Sequence, residues 1–268
     1  MPPRDLRTWP TAVLVILIVV QIWAAHAVAF FAHEYSHAFV AWVLGWKHNP
    51  LDIDYAKPSL VVFLIQLGIN QKVDVAPIFA AGRGVDVALI AVAGSLLGNG
   101  IITYPLSRLG YRLATQHARR GWAMFAFWLT AASIGNFIDY VPIRIFTGGS
   151  GDMGQLETGL GWSPWVVLAV LGIPTLAATL YFFLRIVPAT LNRLFPVSPA
   201  ARYGVAVVSV FFVFGFYGAV GLLEGGPVAH ALSLGSVFVA LPLTIGVEIL
   251  LLWRTARRAL RVGFESGT

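Results

Sequence analysis

Six apolar runs, at roughly 11 to 33, 85 to 105, 122 to 142, 163 to 185, 203 to 223 and 234 to 253, are each long enough to cross a hydrocarbon layer about 30 Å thick as a helix. This pattern constrains the fold more than any other feature. In lipid the backbone must satisfy its own hydrogen bonds, and only helices or closed barrels do so. Of the 268 residues, 58% are hydrophobic and 11% charged, against about a quarter charged in soluble domains. The expected fold is an all-α integral membrane protein with about six transmembrane helices, and the lipid bilayer is its first partner.

A net charge of +6 would suggest nucleic acid in a soluble chain. Here the basic residues flank apolar runs and no nucleic-acid motif accompanies them, so no nucleic-acid partner is expected. With the N-terminus inside, one face receives Arg4, Arg7, Arg108, Arg112, Arg119, Arg120, Arg185, Arg193, Arg202, Arg254, Arg257, Arg258 and Arg261. The other face receives only Lys47, Lys57, Lys72, Arg83 and Arg144. Thirteen against five, alternating over every loop, predicts a multi-pass protein of the cell membrane with both termini cytoplasmic. Arg4 and Arg7 ahead of an apolar stretch, with Ala25-His26-Ala27 beyond it, also fit a signal peptide. The run is longer than a usual h-region, so the first segment is expected to stay. Cysteine is absent, which leaves His, Asp and Glu to hold any transition metal.

The first apolar segment, Thr11 to Trp46, contains Phe31 to Ala38, which reads FAHEYSHA and has no other Asp, Glu, Lys or Arg around it before Lys47. In a helix, His33 and His37 stand one turn apart on one face, the spacing at which two imidazoles can share a zinc ion. Glu34 is then free to act as a base. A carboxylate at membrane depth costs roughly 2.5 to 3.5 kcal/mol on insertion scales, so an intramembrane Glu is read as functional. If the helix continues to Gly45, some 34 residues at 1.5 Å each reach about 50 Å, and it must tilt or project from the membrane. His26, seven residues before His33, is more readily a hydrogen-bonded core imidazole than a ligand.

Between the first two spans, Leu51-Asp52-Ile53-Asp54-Tyr55 alternates apolar and acidic residues, Lys57-Pro58-Ser59 turns the chain, and Leu60 to Ile69 is too short to cross as a helix. A short membrane-associated β-hairpin is expected there, serving either as an edge for an extended peptide or as a surface loop. The second span carries Ala93-Gly94-Ser95-Leu96-Leu97-Gly98-Asn99, a small-residue patch that permits close helix approach. The third ends in Gly135-Asn136-Phe137-Ile138-Asp139-Tyr140-Val141-Pro142 and runs into TGGSGDMGQ, with Asp152 among glycines, on the same face as the far end of the first span. Asp139, on a helix, and Asp152, in a glycine-rich loop, compete as a third ligand.

Taken together, the intramembrane HEYSH, the Gly and Asn patch and the Asn136-to-Asp152 segment resemble the site-2 protease family of intramembrane zinc metalloproteases. The resemblance covers roughly residues 12 to 155. It implies Zn2+ held by His33, His37 and Asp152, with Glu34 as catalytic acid and base, and Asn136 and Asn99 as nearby polar residues. Residues 1–190 would form the metalloprotease core. Residues 191–268, after a Pro-containing linker, would add an accessory helix pair and a basic tail.

The expected reaction is hydrolysis of a peptide bond within or next to a transmembrane segment of a membrane-protein substrate. Asn136 would stabilise the oxyanion if it reaches the site. An iron enzyme with histidine boxes needs more clustered histidines than these six. A transporter or ion-pathway protein would use His26, His33, Glu34, His37 and Glu248 as its intramembrane polar groups, although transport calls for such groups through the depth of several spans and these cluster near one interface. That reading and a pseudoprotease that binds membrane partners without cutting them are the non-enzymatic alternatives.

Overall fold

The computed structural model describes residues 10–149, 151–223 and 225–265, so Arg4 and Arg7 lie outside the described residues. Six helices are long and apolar enough to cross a membrane: Thr11–Val43, Gly84–Gln116, Arg120–Phe146, Pro164–Leu194, Pro199–Leu222 and Pro227–Thr255. They fit a multi-pass membrane protein, and they are called here the first to sixth spans. Val13, Ile16, Val19 and Val20 of the first span are exposed, a surface for which lipid is the natural solvent.

Local chemistry sets the ends of these helices. Pro164 and Pro199 open the fourth and fifth spans, where a missing N–H costs nothing, and the Ser163 and Ser198 hydroxyls accept from the N–H groups of Val166 and Ala201. At the far end of the first span Gly45 turns left-handed (φ 82°). The N–H groups of Gly45 and Trp46 then reach back to the Trp42 and Ala41 carbonyls at 3.0 and 2.8 Å. That pair of bonds closes the helix as a Schellman motif.

The largest buried cluster takes Ala25 and Ala29 from the first span, Phe127 and Trp128 from the third, Phe182 and Leu191 from the fourth, Val210 and Val213 from the fifth, and Leu252 from the sixth. Rings of Phe127 and Phe182 stack at 5.8 Å, and those of Phe183 and Phe214 at 5.4 Å. Lipid tails are as apolar as these side chains, so such close packing holds the spans together.

The β-hairpin expected after the first span does not form, and there is no strand among the described residues. Asp54 and Asn70 make one isolated antiparallel pair, with N–H···O bonds of 2.9 and 3.0 Å. Their side chains stop the ladder there. Asp54 Oδ1 accepts from the N–H of Ala56, and Asn70 Oδ1 from the N–H of Lys72, each at 2.9 Å. Both recipients sit at positive φ, 56° and 51°, so the chain turns instead of extending. The apolar run that follows has no alternation, and with Ser59 capping Val62 it winds into the short helix Leu60–Ile65.

Asp152, expected in a loop, opens the helix Asp152–Leu160. Gly148 and Gly149, both at positive φ, turn the chain back out of the third span. The new helix then lies along the start of the second span, where Gly84 and Gly159 approach so closely that a Cβ on Gly84 would stand 2.7 Å from the Gly159 carbonyl oxygen.

Candidate metal centre

His33 and His37 are 2% and 0% exposed, and their Nε2 atoms stand 2.9 Å apart. Asp152 Oδ2 is 3.2 Å from each of them. A second helix has therefore come to the imidazole pair. The three ligand atoms lie within 4.8 Å of one another, a group able to hold a metal ion.

Hydrogen bonding on the other side of each ring tests whether a cation fits. His37 Nδ1 faces the backbone carbonyl of Ile90, which can only accept, so the ring proton resides on Nδ1 and Nε2 is left with a lone pair. His33 Nδ1 lies 3.2 Å from the amide of Asn99. The Asn99 Oδ1 atom is buried without a partner. A half-turn of that amide, which exchanges two nearly indistinguishable atoms and gives up the 3.4 Å bond from the amide nitrogen to the Gly94 carbonyl, lets Oδ1 accept from a His33 Nδ1–H. Two imidazole lone pairs and a carboxylate oxygen then aim at one point, as in a metal site whose histidines are oriented by outer hydrogen bonds.

Glycine and a change of helical winding let the second span approach. A Cβ on Gly94 would overlap ring atoms of both histidines, and one on Gly98 would press on the Ala32 carbonyl and the Ser36 hydroxyl. From Gly94 to Thr103 the helix is π-wound, with bonds spanning five residues. Gly94 and Asn99, five apart, thus share the face turned to the first span, and Asn99 reaches His33.

Glu34, next in sequence to His33, is 6% exposed. It lies against the backbone N–H of Gln71, while its Oε2 is buried without a partner. An unpartnered carboxylate oxygen beside a metal-type cluster is placed to take a proton from a bound water. Of the three candidate ligands only Asp152 keeps appreciable contact with the outside, 15% of its side chain being exposed.

The remaining candidates from the sequence go elsewhere. Asp139 Oδ1 accepts from Arg144 Nε at 2.7 Å. The Arg144 guanidinium also covers the ring of Tyr140 at 5.2 Å, and that ring packs against His33 at 4.5 Å. Asn136 donates to the Ala132 carbonyl and to the Tyr217 hydroxyl, and none of its hydrogen bonds reaches His33, His37 or Asp152. His26 Nδ1 bonds the same Tyr217 hydroxyl at 2.7 Å. Tyr217, from the fifth span, packs directly over Gly135. Sequence reading missed Tyr140, Arg144 and Tyr217 as parts of this region. The only advance signal was Gly135 beside Asn136, a gap in the helix surface that some ring had to fill.

Comparison with known protein families, with curated proteins and with solved structures finds no match.

Proposed function

We propose that this chain is an intramembrane zinc metalloprotease that cleaves a peptide bond within or next to a transmembrane segment of another membrane protein, with both of its own termini cytoplasmic. The reading rests on one observation, the meeting of His33, His37 and Asp152 beside a buried Glu34 whose Oε2 has no partner. Two nitrogen ligands and one carboxylate with softer donors absent suit zinc and leave a fourth position free. When bound, zinc would supply a water of pKa lowered to about 7 and polarise the scissile carbonyl.

The chain's own residues do the rest. His37 and His33 present Nε2 because Ile90 and Asn99 engage Nδ1. Glu34 takes the water proton and passes it to the leaving nitrogen. A substrate helix must unwind at the cleavage point, since its carbonyls are otherwise occupied in its own hydrogen bonds. His33 sits 22 residues beyond Thr11, about 33 Å along the helix at 1.5 Å each. The reaction is thereby directed to one end of the span, at the membrane interface.

Metal analysis of the purified chain, combined with cleavage of a reconstituted single-span substrate, tests this. We expect about one zinc per chain. The Glu34→Gln variant should keep that zinc and lose cleavage by a factor of about a hundred or more. Stoichiometric iron, or undiminished cleavage by Glu34→Gln, would overturn it.

A further inference from the structure

A second site lies at the arginine-rich end of the spans and shares no residue with the metal centre. It is a cavity of about 470 Å³ lined by Arg108, Leu109, Tyr111, Arg112 and Thr115 of the second span and by Arg193 from the end of the fourth. Arg108 and Arg112 stand one turn apart on one helix face, and Arg193 comes to them from another helix. Three arginines thus border one cavity. No carboxylate answers them: residues 87–138 and 158–223 contain no Asp or Glu, and among the described residues none of the three arginines forms a salt bridge.

The Arg108 guanidinium lies 5.3 Å from the ring of Tyr111, which holds one positive group beside the cavity. Three like charges around one cavity repel one another, and an oxyanion there offsets that repulsion and accepts charge-assisted hydrogen bonds. Topology anchors need only point into water, so the positive-inside pattern does not account for arginines of two helices converging on one cavity. Leu109 also lines the cavity, and Leu106 and Leu113 are exposed along the same stretch of helix. Basic and apolar surface therefore meet at the cavity.

We infer that this cavity binds a phosphoryl group. A phospholipid headgroup or free phosphate could supply one, and the apolar surface favours the phosphodiester of an anionic lipid, as in basic pockets between membrane helices. The test uses the full chain in phosphatidylcholine nanodiscs, titrated with short-chain phosphatidylglycerol in one arm and with inorganic phosphate in the other. Bound lipid is counted by native mass spectrometry, and phosphate binding is read by calorimetry. Arg108→Gln and Arg193→Gln should each weaken phosphatidylglycerol binding about fivefold, and the double variant more than tenfold. Arg185→Gln, outside the cavity, should leave it unchanged. Size exclusion identifies any variant that misfolds, and Arg193→Gln, at an exposed helix end, carries the test if Arg108→Gln fails to fold. Saturable phosphatidylglycerol binding that phosphate does not displace assigns the lipid. Saturable binding in the phosphate arm alone assigns free phosphate. Equal losses in Arg185→Gln and Arg193→Gln, or no loss in the double variant, would reduce the cluster to diffuse surface charge and overturn the site.

Discussion

His33 Nε2 and Asp152 Oδ2 stand 3.2 Å apart although 119 positions separate the two residues in the chain. The contact ranks the two carboxylates that compete for the third ligand position. Asp152→Ala should reduce zinc affinity about as severely as His37→Ala. Asp139 instead holds Arg144, whose guanidinium covers the Tyr140 ring that packs on His33. Asp139→Ala should therefore weaken zinc only about ten- to a hundredfold, as removal of outer supports does. Competition against a metal buffer measures both, and the opposite order would move the ligand to Asp139.

Asn99 should matter through its oxygen. Asn99→Leu removes the acceptor for His33 Nδ1–H and should cost about ten- to a hundredfold in zinc affinity. Asn99→Asp keeps an oxygen there and should restore most of it. If Asp and Leu variants bind zinc equally poorly, the Asn99 oxygen is not what orients His33.

The two helical glycines Gly94 and Gly246 should respond in opposite ways to an added methyl. A Cβ at Gly94 overlaps both imidazoles, whereas nothing lies within 4 Å of one at Gly246. Gly94→Ala should lower stability by about 1–3 kcal/mol and displace the metal ligands. Gly246→Ala should be neutral or stabilising by up to about 1 kcal/mol. Thermal unfolding in detergent, with zinc content measured in parallel, distinguishes the two, and a stable, fully zinc-loaded Gly94→Ala would refute the close approach.

Orientation can be read without background labelling, since the chain contains no cysteine. Leu51, after the first span, and Gln116, at the end of the second, are both exposed. Leu51→Cys should react with an impermeant maleimide only from outside the cell, and Gln116→Cys only from the cytoplasm. The reverse labelling pattern would invert the topology.

Features set by neighbours in the chain were legible in the sequence. Span positions follow from runs of apolar side chains, and the pairing of His33 with His37 follows from helical periodicity alone, so both needed no knowledge of the fold. Asp152 could be named as a candidate because glycines around a carboxylate are a local signal. Its selection over Asp139 was not local. It depended on Gly148 and Gly149 reversing the chain, and on Arg144 occupying Asp139.

The rest depended on contacts that no single segment encodes. Alternation at 51–55 suggested a strand, but a ladder grows only if both partners stay extended, and the side chains of Asp54 and Asn70 bend each strand after one pair. Asn136 stands in a segment that suggested a catalytic role, yet its hydrogen bonds go to Ala132 and Tyr217, the latter from a helix that comes over Gly135. Ile90 and Asn99 orient the two histidines only because a π-wound, glycine-faced second span can lie against the first. Sequence by itself determined the spans and the pair of imidazoles, since both arise from short-range periodicity. Tertiary structure decided which distant groups complete the site, since a hydrogen bond or a ligand contact depends on ångström-scale distances that only packing between helices fixes.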